Sequence, residues 1–261
     1  MKLKALNSIA CIVAAFAVQA SAQAGQISFT EATCQSGSAT SSSVTCSTSS
    51  GGKNYSATLT GWSTANTGKF GSASIGYYAG SGLGISAQGE STTGSQHAVD
   101  NYLGTDAFLI SFGSADFALD QLSIGWRSGD SDVSILRYTG TDAPVLGNRT
   151  VADLKNAAGW EWVGDYANLS TSTDLSFNNT GTIKTASWWL VSAYNSSYSG
   201  IAASGNLSNG DDFFKVDGFG GSIVKPATPT PTPGNAVPEP GSFALIGIAL
   251  AGLAAVRRRK A

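Results

Sequence analysis

Apolar and polar positions alternate over short runs along most of the chain, and Gly, Asn, Asp and Ser separate the runs. A period of two puts every second side chain on one face of an extended strand, so each run reads as a half-buried β-strand bounded by turns. Tyr55–Trp62 sets Tyr55, Ala57 and Leu59 against Ser56, Thr58 and Thr60, and Lys69–Tyr78 puts Ile75 and Tyr77 on one face. The same pattern predicts strands at Asp106–Phe112, Phe117–Trp126, Asp132–Tyr138, Trp160–Val163, Thr182–Tyr194 and Asp212–Phe219. Only Val151–Ala158 has a helical pattern, with Thr150 placed to cap it and Gly159 to stop it. About eight to ten short strands with one minor helix predict an all-β domain, a β-sandwich of jelly-roll type. The lack of a repeat of fixed period argues against a solenoid.

Two apolar runs at the ends break this pattern. Residues 1–24 carry Lys2 and Lys4, then the run Ile9 to Val18, then Ala22-Gln23-Ala24. That is the charged, apolar and small-residue order of a secretory signal peptide, a signal helix that takes Cys11 with it when cleaved. It implies the secretory translocon and signal peptidase as partners. At the other end, Ser242 to Val256 follows Val237-Pro238-Glu239-Pro240-Gly241 and precedes Arg257, Arg258, Arg259 and Lys260. Fifteen residues of helix at about 1.5 Å each reach about 22 Å, a marginal span of a hydrocarbon core about 30 Å thick. The basic cluster lengthens the span by snorkelling and acts as a membrane stop on the cytoplasmic side. Pro238 and Pro240 forbid helix continuation and hold an extended segment just outside the bilayer, where a protease can accept it as a strand.

A Val-Pro-Glu-Pro segment, a short Gly/Ala/Leu-rich helix and a terminal arginine cluster resemble the PEP-CTERM sorting signal of exosortase-dependent surface proteins of Gram-negative bacteria. The resemblance implies an exosortase as processing partner and transient residence in the inner membrane. It also implies a final place at the cell surface or in the extracellular matrix, with a structural or adhesive role in exopolysaccharide or biofilm. The chain then divides into a signal peptide (1–24), an extracytoplasmic β-sandwich domain (25–224), a Pro/Thr linker (225–236) and the sorting signal with its transmembrane helix (237–261). Alternation of proline with Thr or Ala in the linker favours polyproline II, a semi-rigid stalk. Segments of the body, from His97-Ala-Val-Asp100-Asn101 through Asp130–Gly140 to Asp211–Val216, are also similar to exosortase-dependent surface proteins of unassigned role, a likeness that brings no catalytic residue with it.

Composition sharpens this picture. Charged residues make up 12% of the chain, about half the usual share, so solubility rests on Ser, Thr, Asn and Gly. The net charge of −2 averages basic ends with an acidic body, since Gly25–Ala236 holds nine basic and sixteen acidic residues, a net −7. Such a body repels phosphate backbones, which excludes nucleic acid as a natural partner. Cys34 and Cys46 flank and enter a Ser/Thr-rich stretch at 35–50, and in an exported protein they are expected to form a disulfide that pins a loop or hairpin.

Candidate chemistry is sparse. His97 is the only histidine and no Gly-x-Ser-x-Gly elbow occurs, so no Ser-His-Asp set is built, and His97 is expected to bond Asp100 at a turn. Asp100, Asn101, Asp106, Asp130 and Asp132 offer hard oxygen ligands, and two acidic loops meeting at one sandwich edge could hold calcium. The alternative is that Asp130 and Asp132 turn the chain and pair with Arg127 or Arg137. Trp188 and Trp189 point to opposite faces of a strand, so one of them could stack on a sugar ring, and Trp160 and Trp162 share a face. The alternative for all four is a place in the core. A carbohydrate-binding module is therefore the second functional reading. A glycan hydrolase using Asp130 and Glu161 is the third, and it requires carboxylates about 5–10 Å apart. Gly80-Ser-Gly82-Leu-Gly84 echoes a phosphate-binding loop without the helix that should follow, and reads as a hairpin turn.

Overall fold

The computed structural model describes residues 25–224 apart from 36–39, 66, 91–93, 96, 115–116 and 202–204. The predicted signal helix and the predicted C-terminal hydrophobic helix lie outside the described residues. Among the described residues no helix is long and apolar enough to cross a membrane.

The strands are β1 (Ile27–Thr30), β2 (Cys34–Gln35), β3 (Thr40–Ser41), β4 (Ser43–Ser50), β5 (Lys53–Ser63), β6 (Gly71–Tyr78), β7 (Gly82–Ser86) and β8 (Val99–Asp100). They continue with β9 (Asp106–Ser111), β10 (Phe117–Arg127), β11 (Val133–Tyr138), β12 (Trp160–Tyr166), β13 (Leu175–Ser176), β14 (Trp188–Ala193) and β15 (Phe213–Ile223). A helix, α1 (Val151–Asn156), precedes β12, with the Thr150 hydroxyl accepting from the Asp153 amide and the Asp153 carboxylate accepting from the Thr150 amide. This reciprocal cap is what lets so short a helix persist.

The all-β expectation holds. The strands form a strongly curled antiparallel ladder in the order β12-β11-β14-β9-β5-β6-β7-β15-β10-β13. The corner lies within β6, which pairs with β5 through Gly71–Ala73 and with β7 through Ser74–Tyr78. The two halves thus fold over a common core. Phe112, just past β9, stacks on Phe117 of β10 at 3.7 Å, and Phe29 of β1 stacks on Phe219 of β15 at 5.1 Å. A second apolar cluster sits on the opposite face of β9, β11 and β14, where Leu109, Leu136 and Leu190 pack with Val151 and Leu154 of α1, Leu146 and Tyr198.

The strand β4 falls inside the Ser/Thr-rich stretch, with Val44 and Cys46 as its buried positions. Cys34 of β2 is the register partner of Cys46, and the two are joined as the expected disulfide. The glycine-rich run that follows β6 is a hairpin whose second arm is β7. There a Cβ on Gly84 would stand 2.0 Å from the His97 carbonyl oxygen, so the close approach of the 97–98 backbone requires glycine.

Candidate functional site

The five residues expected to ligate calcium are divided by the structure into two neighbouring groups. In the first, Asp100 ends β8 and Asp106 begins β9, and Glu90 reaches them from the connection between β7 and β8. Carboxylate oxygens of these three lie within 4.8 Å of one another. Asp100 accepts from the Tyr102 amide through Oδ1, Asp106 accepts from the Asp100 amide through Oδ2, and Glu90 accepts from the Ala87 amide through Oε2. Asp100 Oδ2 and Asp106 Oδ1 are buried and have no partner. Burial, with like charges beside it, pushes the Asp106 carboxyl well above the carboxylate range and lifts Asp100 to about 7.

The second group is knit into the fold. Asp132 is wholly buried, its Oδ1 accepting from the Asn168 amide and its Oδ2 from the Ser208 amide, while its own amide donates to Asp212 Oδ1. Asn101 accepts from the Asp212 amide and donates to Asp212 Oδ2 and to the Tyr194 carbonyl. Asp130 Oδ1 accepts from the Ser131 amide, and Ser208 Oγ donates to Asp130 and Asp211. Oxygens of Asp130, Asp211 and Asp212 also cluster within 4.8 Å, and burial lifts Asp212 to about 8. Backbone amides donate to both carboxylate oxygens of Asp132 and to the amide oxygen of Asn101, so neither side chain is free of the fold's own bonding. The alternative pairing with arginine is not formed, since Arg127 donates to the Gly129 carbonyl and Arg137 pairs with Glu161. Sequence reasoning missed Glu90 and Asp212. Glu90 stands alone in its segment, and Asp212 reaches the group only through long-range strand pairing, in which Asp100 of β8 faces Phe213 of β15.

Two other expectations change. His97 makes no bond to Asp100; its ring packs on Tyr78 at 4.7 Å and its Nδ1 is buried without a partner. Burial lowers its pKa, and Lys215 nearby adds to the effect. Lys215 is itself buried, with its ammonium 3.7 Å from the centre of the Trp126 ring and 4.7 Å from that of Tyr78. The hairpin that echoed a phosphate loop does hold an anion, but one from its own chain. Glu31 accepts from the Gly80 amide at 2.6 Å and from the Gly82 amide at 2.7 Å.

The tryptophans separate by face. Trp189 is completely buried in the main core, its Nε1 donating to the Ala186 carbonyl, which removes it as a sugar contact. Trp188 points to the other face and joins a cross-strand row with Tyr138 and Trp160, at ring separations of 6.1 and 5.2 Å from Tyr138. Trp162, two residues along the same edge strand, is 37% exposed. Glu161 is bound to both Arg137 and Lys184, and these cations hold its carboxyl below its ordinary range despite partial burial. It lies beside Arg137 at the far end of β11 from Asp130, about 20 Å away at about 3.3 Å per residue. The pair required by the hydrolase reading is therefore not assembled. A hollow on the β4–β5 hairpin is lined by Ser47, Thr48, Ser49, Asn54, Tyr55 and Ser56, which offer hydroxyls and an amide but no acid or base of ordinary catalytic type.

Beyond this body, residues 236–260 match the PEP-CTERM protein-sorting motif. The chain carries a PEP-CTERM sorting signal. That signal marks an exported protein directed to the cell envelope, with an exosortase as its processing partner. The match begins one residue before Val237 and includes Pro238, Glu239, Pro240 and the basic residues Arg257, Arg258, Arg259 and Lys260. No curated protein and no solved structure matches the chain. The sorting signal thus identifies where the acidic centre and the aromatic row are delivered, while their chemistry must be argued from the side chains themselves.

Proposed function

We propose that the chain is a non-catalytic surface protein, structural or adhesive, placed by exosortase processing in an exopolysaccharide or biofilm matrix. The observation that carries this reading is the sorting motif at residues 236–260 on the same chain as a β domain that folds as residues 25–224. Its supports are the dispersal of Asp130 and Glu161 to opposite ends of β11 and the structural employment of Asp132, Asn101 and Asp212. Deleting Pro238–Pro240 removes the extended segment presented to the exosortase, and the expected result is a longer form retained in the membrane. Unchanged maturation overturns the reading.

A carbohydrate-binding role is favoured by a separate observation, the row Trp160, Tyr138, Trp188 with the exposed Trp162 beside it. The edge strand β12 supplies Trp160 and Trp162, and aromatic faces there suit the apolar faces of pyranose rings. Pull-down on the producer's own polysaccharide tests it: Trp162→Ala and Trp188→Ala should lower retention, and equal retention removes these residues from the binding surface.

A further inference from the structure

We propose that Glu90, Asp100 and Asp106 form a calcium site that fastens the β7–β8 connection to the start of β9. Three observations converge on it. The first is the donor set, which is all carboxylate. Neither cysteine of the body is free, since both are in the disulfide, and His97 does not belong to the cluster. Hard oxygen donors select hard cations, calcium and magnesium rather than zinc or copper. The second is spacing. The three ligand atoms lie within 4.8 Å of one another, and two ligands bound at about 2.4 Å to one calcium ion can be at most about 4.8 Å apart.

The third observation separates this centre from an ordinary acidic patch. A buried polar atom without a partner costs about 1–3 kcal/mol, and more when charged, so such atoms are rare without a reason. Asp100 and Asp106 are 2% and 1% exposed; a backbone amide donates to one oxygen of each and Ser63 also bonds the Asp106 carboxyl, while Asp100 Oδ2 and Asp106 Oδ1 have no partner. The ion pairs among the described residues, Arg137–Glu161 and Lys184–Glu161, lie elsewhere, so no side-chain cation neutralises the group. The neighbouring Asp130–Asp211–Asp212 cluster lacks this signature, because both oxygens of its buried member, Asp212, are occupied by Asp132 and Asn101. A divalent cation would take up both orphaned oxygens and offset two of the trio's three negative charges, with Glu90, the partly exposed member, completing the site from the rim. Ion binding would then hold Glu90 against the sheet edge at β8 and β9.

The test is calorimetric titration of CaCl2 into the EGTA-treated full chain at pH 7.5, paired with urea unfolding. One calcium per chain is expected. The unfolding constant should fall about a hundredfold when free calcium is about a hundred times its Kd. Glu90→Gln and Asp106→Asn should weaken binding at least tenfold, while Asp211→Asn leaves it unchanged. Absence of both heat and midpoint shift in the parent chain overturns the site and points instead to a proton shared between Asp100 and Asp106. A response that survives Glu90→Gln and Asp106→Asn undiminished, or that is lost with Asp211→Asn alone, also overturns it. If Asp106→Asn does not fold, Glu90→Gln at the rim decides the matter.

Discussion

Replacing Glu31 by alanine should destabilise the body far more than its place in a three-residue 3-10 turn suggests. The carboxylate is buried and receives two short amide bonds, from Gly80 and Gly82, tying the segment after β1 to the β6–β7 hairpin. Hydrogen bonds to a charged group contribute about 1.5–3 kcal/mol each. Gly80 is exposed and its amide can return to water, whereas Gly82 is buried and its amide would be left without an acceptor. Against this stands relief of repulsion, since Glu31 helps to raise the pKa of Asp217. The net expectation is a loss of about 3 kcal/mol for Glu31→Ala. Glu31→Gln should recover little of it, because the amide group presents N–H to one of the two donors. Urea unfolding at pH 7 measures the difference, with an unchanged m-value showing that the loss lies in the folded state. A Glu31→Ala midpoint equal to that of the parent chain would refute the argument that these two bonds hold the hairpin.

Reducing the disulfide or replacing both cysteines by serine opens a loop closed over a separation of 12 residues, an expected loss of about 3 kcal/mol in the chain-entropy account; equal urea midpoints with and without reductant would contradict it. Trp189→Ala should cost about 3–5 kcal/mol as a core truncation, while Trp162→Ala leaves stability within about 0.5 kcal/mol, and thermal melts of the two distinguish core from surface. Burial lifts Asp212 to about 8 in the folded state. A raised carboxyl means that the folded chain keeps a proton the unfolded chain has released, so its effect is absent below about pH 4 and increasingly destabilising up to about pH 8. The urea midpoint in EGTA should therefore be higher at pH 5 than at pH 8, and the reverse order refutes the burial argument. Gly84→Ala should abolish folding or cost several kcal/mol, because the added methyl meets the His97 carbonyl, which circular dichroism of the variant would reveal.

Alternation was a sound guide wherever apolar residues occupy every second position. Predicted Tyr55–Trp62, Asp106–Phe112, Phe117–Trp126 and Asp132–Tyr138 correspond to β5, β9, β10 and β11 within one or two residues at each end. It failed where small or polar residues form strands. In β4, serine and threonine occupy the open face, and in β7, glycines are demanded by the backbone that crosses above them. It overran at Thr182–Tyr194, of which only Trp188–Ala193 is strand. Before it, the Asn178 side chain accepts from the Lys184 amide and donates to the Lys184 carbonyl, so a side chain replaces a partner strand. Asp100 and Asp106 were legible as hard ligands from their type and closeness in sequence. Glu90 was not, because its closeness to them is a matter of tertiary placement and no local pattern announces it. Which of Trp188 and Trp189 faces outward was likewise undecidable, since alternation fixes their opposition and not which side is covered.

The last strand is also a central one. β15 pairs with β10 along one edge and with β1, β7 and β8 along the other, so four strands depend on residues 213–223 for a shared ladder. The body can therefore not close while its own C-terminal segment is still on the inner side of the membrane. Loop closure between β1 and β15 spans almost the whole domain, a non-local contact of the kind that makes folding slow. The match to the sorting motif begins only thirteen residues after Ile223. The strand that completes the sheet and the signal that an exosortase processes are thus neighbours along the chain.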